Sequence, residues 1–298
     1  MTEPDDPFSE HRARMFAVAY RILGSVSDTE DVLQDCWLAW REVDPATVRE
    51  PRAYLTRMVA NRALNRLRTV QRQREVYPGP WLPEPVAASP GPDEVAELAE
   101  SASFAMLVLL EQLTPLERAA FVLREVFALS HAEAAEALES TPAAVRQLTS
   151  RARRHLAGDC PPRFEPVDAD THRAVGREFV AALRSGDPAR AIGLLAPDVR
   201  LITDGGGRVQ AALRPLVGPE KSLRFLAGLA ERYGDFEVEE VTANGWPALL
   251  VTSGGQPSLV QFALRDGRLA EVWVQRNPEK LTGLGISGAG SPPSGRNR

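Results

Sequence analysis

The run YPGPWLPEPVAASPGPD at residues 77–93 constrains this chain most, because six prolines follow Tyr77 within it. Proline has no amide hydrogen and its ring clashes with the preceding turn, so no helix crosses the stretch. Residues 77–97 read as a semi-extended linker between two separately patterned segments. The Trp81-Leu82 pair inside it is too apolar for a passive spacer and is expected to dock on a neighbouring domain.

Before the linker, residues 1–76 have the periodicity of an all-helical domain. Phe8, Met15, Ala19, Ile22 and Leu23 fall on one helical face, and Leu33, Cys36, Trp37 and Trp40 recur at i, i+3, i+4 and i+7. Ser27 and Glu30 have the spacing of a capping box for that second helix. Pro51 suits the first turn of a long third helix to about Arg74. On it Arg57, Asn61, Asn65, Arg68 and Arg72 share one stripe, while Leu55, Met58 and Val59 face inward.

Residues 98–160 form a second helical domain. Thr114-Pro115-Leu116-Glu117 is a capping box with proline at the first helical position, and Ser130-x-x-Glu133 is another. A short helix to Leu138, a turn at Glu139-Ser140 and a helix opened by Thr141-Pro142 read as a helix-turn-helix. Val145, Leu148, Ala152 and Leu156 turn inward, leaving Arg146, Gln147, Ser150, Arg153 and Arg154 outward. Arg and Gln early on such a helix suit guanine and adenine edges, and later arginines suit phosphates.

From residue 168 the pattern changes to helices followed by strands, with a hairpin turn at Asp266-Gly267. Residues 168–281 therefore read as an α+β domain. Residues 282–298, rich in Gly, Ser and Pro, are expected to form a disordered tail.

The net charge of −5 conceals strong segregation. Residues 1–48 hold ten acids and four arginines, residues 49–74 hold eight arginines and one acid, and residues 142–157 hold four arginines and no acid. Separate acidic and basic faces follow, the basic ones suited to nucleic acid. No run of about 18 apolar residues exists to span a membrane, and the first residues lack a signal-peptide pattern. The chain is expected to stay in the cytoplasm, without membrane contact. Cys36 and Cys160 belong to no CxxC, and the four histidines show no metal spacing, so neither metal nor cofactor is expected.

Several motifs, in order, carry a resemblance. DVLQDCW at 31–37, PRAYL at 51–55 and NRALNRLR at 61–68 look like region 2 of extracytoplasmic-function sigma factors. LTPLER at 113–118 and VRQLTSRAR at 145–153 look like region 4. Cys36-Trp37 stands where an aliphatic-Phe pair is common, and Asn65 where Asp is common. WLPEP at 81–85, DGGG at 204–207 and NPEKL at 277–281 further resemble the SigJ-like subgroup, whose members carry a fused SnoaL-like domain, a cone-shaped α+β fold.

The resemblance implies a sigma factor that binds core RNA polymerase and promoter DNA and acts as a monomer when free. Asp31, Gln34, Asp35 and Trp37 would dock on the clamp helices of the β′ subunit, and the helices near 104–126 would meet the β flap. Arg57, Asn61, Asn65, Arg68 and Arg72 would capture the −10 element. Arg146, Gln147, Ser150, Arg153 and Arg154 would read the −35 element. Trp81, Leu82, Pro83, Asp204, Gly205, Gly206, Gly207, Asn277 and Pro278 would form a regulatory contact through which the C-terminal domain clamps regions 2 and 4.

Two rival readings stay open from residues alone. One is a ligand-responsive helix-turn-helix regulator that needs no polymerase. The other is an enzyme of the SnoaL type with Asp204 as base and Trp246 and Trp273 lining a pocket. Whether a small ligand fills the C-terminal cone stays open from residues alone.

Overall fold

A computed structural model describes residues 6–87, 104–158 and 167–284. The chain divides into two compact units, one comprising residues 1–77 and 83–162, the other residues 78–82 and 163–298.

The first unit is all-helical. Helices α1 (Pro7–Glu10), α2 (Arg12–Leu23), α3 (Val26–Trp40) and α4 (Pro51–Arg74) form its N-terminal half. Gly24 adopts a left-handed conformation that ends α2. Ser25, rather than Ser27, caps α3: its backbone is extended and its Oγ accepts from the Asp28 amide at 3.2 Å. The turn at Gly24 starts the helix two residues earlier than the Ser27 spacing suggests. Pro51 opens α4, as expected.

The second half of this unit contains α5 (Phe104–Leu110), α6 (Pro115–Phe121) continuing into a π-helical turn (Val122–Val126), α7 (His131–Ala137) and α8 (Pro142–Gly158). Both capping boxes, Thr114/Glu117 and Ser130/Glu133, are closed in each direction. Helix α7 packs on α4. Leu55, Val59, Ala63 and Leu67 thus share one apolar cluster with Leu110, Leu123, Ala134 and Leu138. At ~1.5–3 kcal/mol for each fully buried aliphatic side chain, this shared core dominates the cohesion of the unit. Cys36 lies inside it, and burial pushes its thiol up to about 12, so it acts as a small apolar residue. Trp37 falls at the edge of the apolar stripe and is 37% exposed.

The second unit is a six-stranded sheet with helices against it. Helices α9 (Ala169–Arg184) and α10 (Pro188–Gly193) precede β1 (Leu195–Asp204), a two-residue β2 (Leu216–Val217) and α11 (Pro219–Tyr233). Strands β3 (Phe236–Ala243), β4 (Trp246–Ser253), β5 (Gln256–Arg265) and β6 (Arg268–Gln275) follow, then α12 (Pro278–Leu281). The order is β2-β1-β6-β5-β4-β3, with β1 parallel to β6 and every other pair antiparallel. This is the α+β arrangement expected. The β2 edge carries no alternating pattern and was not foreseeable. The linker is not free-standing where it is described, since residues 78–82 belong to the sheet unit and residues 83–87 to the helical unit. Residues 88–97 of the linker, 98–103 and 159–160 of the second helical domain, and 285–298 of the tail lie outside the described residues.

Candidate nucleic-acid interface

Helix α4 has one face in the apolar core and the other lined with polar groups, so its 24-residue length fixes the arginine–asparagine stripe in register. The stripe is a hydrogen-bonded row. Arg68 donates to Oδ1 of Asn65 at 3.1 Å, Asn65 to Oδ1 of Asn61 at 3.2 Å, and Asn61 to Glu139 at 2.9 Å. One turn earlier Arg57 is ion-paired with Glu136, while Arg72 at the far end is exposed. Four of the five stripe residues are thus joined to one another or to the helix-turn-helix half of the same unit.

Glu139 occupies the turn of that motif with φ +49, a left-handed conformation unusual for a non-glycine residue. The tight α7–α8 turn imposes it, and the carboxylate is thereby aimed at Asn61. Arg146, Gln147, Ser150, Arg153 and Arg154 are all exposed along α8, over the buried side chains of Val145 and Ala152. Arg153 is already held by both oxygens of Glu125, at 2.8 and 2.9 Å. Burial lowers the His131 pKa, and Arg124, Arg146 and Arg153 lower it further against the opposing charge of Glu125.

A second cluster joins the two helical halves. Glu111 accepts from Arg74 at 2.6 Å and is ion-paired with Arg118, which is 1% exposed and donates to the Arg21 carbonyl at 3.0 Å. On α3, Asp31, Gln34, Asp35 and Trp37 are exposed together, with the Arg41 guanidinium 5.2 Å from the Trp37 ring centre. Arg66 pairs with Asp28 at 2.6 Å and Asp31 at 3.5 Å.

In the sheet unit Asp204 is fully buried at the end of β1. It accepts from the amides of Leu82 at 2.9 Å and Gly206 at 3.0 Å, and from Lys280 Nζ at 2.7 Å. Lys280 also donates to the Leu82 carbonyl at 2.6 Å and stands 4.0 Å from the centre of the Trp81 ring. The structure therefore brings Trp81, Leu82 and Asp204 together around Lys280. Gly206 and Gly207 have φ of +59 and +69, and a Cβ on them would meet Asn277 at 2.4 Å and Pro78 at 2.8 Å. Only glycine fits both demands. Asn277 caps α12 through the Glu279 amide, with Pro278 at its first position. Pro83 is buried in the helical unit, where its neighbour Glu84 accepts from the Val26 amide at 2.9 Å.

The region 2 family of sigma-70 matches residues 8–73, and the sigma-70 region 4 family matches residues 103–156. The extracytoplasmic-function RNA polymerase sigma factor SigJ of Mycobacterium tuberculosis is 37% identical over 98% of this chain and 97% of its own. The chain belongs to the extracytoplasmic-function sigma factor family. The crystal structure of M. tuberculosis SigJ covers 93% of this sigma factor at 34% identity, with a TM-score of 0.75. A probable sigma factor SigI of the same organism is 28% identical over 70% of the chain.

Four residues that complete these clusters carry no clear signal in the sequence. Glu136 and Glu139 looked like ordinary solvated acids of a short helix and its turn. Glu84 and Lys280 lay inside quoted motifs, and Lys280 is one of two lysines in an arginine-rich chain, a signal that could have marked it. Asp204 faces Lys280 and the linker, whereas the large cavity of the domain has other walls, and neither Trp246 nor Trp273 lines it.

Proposed function

We propose that this sigma factor binds core RNA polymerase and promoter DNA, and that the described arrangement is its closed form. The observation carrying this reading is the occupation of Arg57 and Asn61 by Glu136 and Glu139. The stripe that would hold an extruded −10 base and its backbone already holds carboxylates of the helix-turn-helix half. DNA must displace them, and an exposed carboxylate pair contributes only ~0.2–1 kcal/mol. The apolar core shared by α4 and α7 is the larger barrier, so opening requires a partner that stabilises the separated halves.

Core polymerase is that partner in this reading. The exposed Asp31, Gln34, Asp35 and Trp37 face of α3 would engage the β′ clamp helices, and the α5–α6 segment the β flap. After opening, Asn61 and Asn65 would bond the base extruded from the −10 element, with Arg57, Arg68 and Arg72 on its backbone. Unstacking a base takes a few kcal/mol, which these contacts offset. Arg146, Gln147 and Ser150 on the first turns of α8 would read −35 base edges, leaving Arg153 and Arg154 to phosphates. The linker dock on Asp204, with Lys280 and the glycine loop around it, would be the point where the C-terminal domain controls this opening.

Run-off transcription from the protein's own upstream region, with core polymerase and the full chain, tests the reading. A transcript that depends on the added chain supports it. Absence of both transcript and core binding contradicts it.

A further inference from the structure

Helix α11 is amphipathic, yet Ser222 is its only buried residue among those described. Its Leu223 and Leu226 pack against the core cluster of the sheet but stay only partly buried, and a partly open cavity of about 510 Å³ lies between the helix and the sheet. That volume falls within the usual range for small-molecule sites, ~300–1,000 Å³. Its walls are apolar, contributed by Phe179 of α9, Leu223 and Leu226 of α11, and Val251, Val260 and Val274 of the sheet.

One buried charge stands on this wall. Arg276, just past β6, is 5% exposed. Its Nε donates to Ser258 Oγ at 3.2 Å and its Nη1 to the Gln210 carbonyl at 2.5 Å, and its guanidinium lies 5.2 Å from the centre of the Tyr233 ring. All these partners are neutral, and among the described residues no carboxylate pairs with it. Asp187 and Glu231, the acids on the cavity lining, are exposed at its rim. Burial holds the guanidinium's pKa below its ordinary value. A desolvated cation without a counter-ion favours an anion beside it far more than the same cation in water would. A guanidinium's planar fork matches a carboxylate, and the remaining walls offer burial to an apolar body and little else.

We propose that this cavity binds a small apolar acid of the fatty-acid class, its carboxylate on Arg276 and its hydrocarbon between α11 and the sheet. The cavity shares no lining residue with the linker dock, although the Arg276 amide donates to the Asp204 carbonyl at 2.7 Å, and its test does not depend on the sigma assignment.

The fluorescent fatty acid cis-parinarate, titrated into the full chain, should show saturable binding at one site. Laurate should displace it at about tenfold lower concentration than dodecanol, the difference a charge-assisted hydrogen bond supplies. Arg276→Gln should remove that preference while leaving dodecanol unchanged, and Leu226→Trp, which fills the cavity, should abolish both. The wild-type competition decides the matter even where a variant fails to fold. Equal displacement by laurate and dodecanol, no parinarate binding, or undiminished binding in a folded Leu226→Trp chain would each overturn the proposal.

Discussion

Nδ2 of Asn61 donates to Oε1 of Glu139 at 2.9 Å, joining the middle of the basic stripe to the turn of the helix-turn-helix. The same carboxylate sits on a backbone with φ +49, so the motif's own turn geometry sets where it points. A residue that specifies the turn thus also covers Asn61, one of the side chains proposed to bind the −10 element.

Replacing Glu136 and Glu139 together by Gln removes the charges on Arg57 and Asn61 and keeps side-chain size. Two exposed interactions at ~0.2–1 kcal/mol each predict that the free chain binds a single-stranded −10 oligonucleotide about two- to thirtyfold more tightly. Fluorescence anisotropy with labelled DNA measures this. Unchanged affinity would show that these acids do not compete with DNA.

Glu111 plays a different part. It neutralises Arg118, which is almost fully buried, and Arg74 beside it. Removing one partner of a buried pair costs ~3–5 kcal/mol because a charge is left without compensation. Glu111→Gln should destabilise the helical unit by about 3 kcal/mol, read as an earlier urea midpoint at an unchanged slope. A loss below about 1 kcal/mol, the range of exposed pairs, contradicts a structural role.

Lys280→Met keeps the aliphatic stem and removes the cation shared by Asp204 and the Leu82 carbonyl. The expected outcome is release of residues 78–82 from the sheet unit, seen as new cleavage near Trp81-Leu82 in limited chymotryptic digestion. An unaltered digestion pattern at full structure would mean that Asp204 and the glycine loop hold the linker without Lys280.

The helical halves were legible because period and capping both reside in local sequence. Pro51, the Thr114–Glu117 box and the Ser130–Glu133 box each act within a few residues of their own helix start, and the α4 stripe follows from a single helical repeat. Partnership was not legible. Asn61 and Glu139 are 78 residues apart and Leu82 and Asp204 are 122 apart, and their meeting depends on packing that no local pattern encodes. Only the family resemblance points to the Asp204 cluster, and it does not single out Lys280. The spacing of Ser27 to Glu30 fits a cap for α3, whereas the left-handed Gly24 decides in favour of Ser25.

His172 gives the sheet unit a pH dependence. Its Nε2 is 2.9 Å from the Phe262 carbonyl and its ring stacks on Phe262 at 3.9 Å, while Nδ1 is buried without a partner. Burial lowers its pKa, because protonation would place a second N–H where nothing accepts it. The unfolded chain, with a His pKa of about 6.5, therefore binds a proton before the folded one does. Stability from this group is complete above about pH 6.5 and declines as pH falls from there toward the folded pKa. Thermal melts between about pH 5 and 8 should show this decline for the wild type and a flatter profile for His172→Phe. Identical profiles would contradict it.

The most direct test of the closed-form account compares −10 oligonucleotide binding by the chain alone and by the chain with core polymerase, at one salt concentration. The account predicts weak binding by the free chain, much tighter binding by the holoenzyme, and a smaller gap for the Glu136→Gln, Glu139→Gln double variant. Equal affinity of the free chain and the holoenzyme would contradict it, because the α4 stripe would then be open to DNA before polymerase arrives.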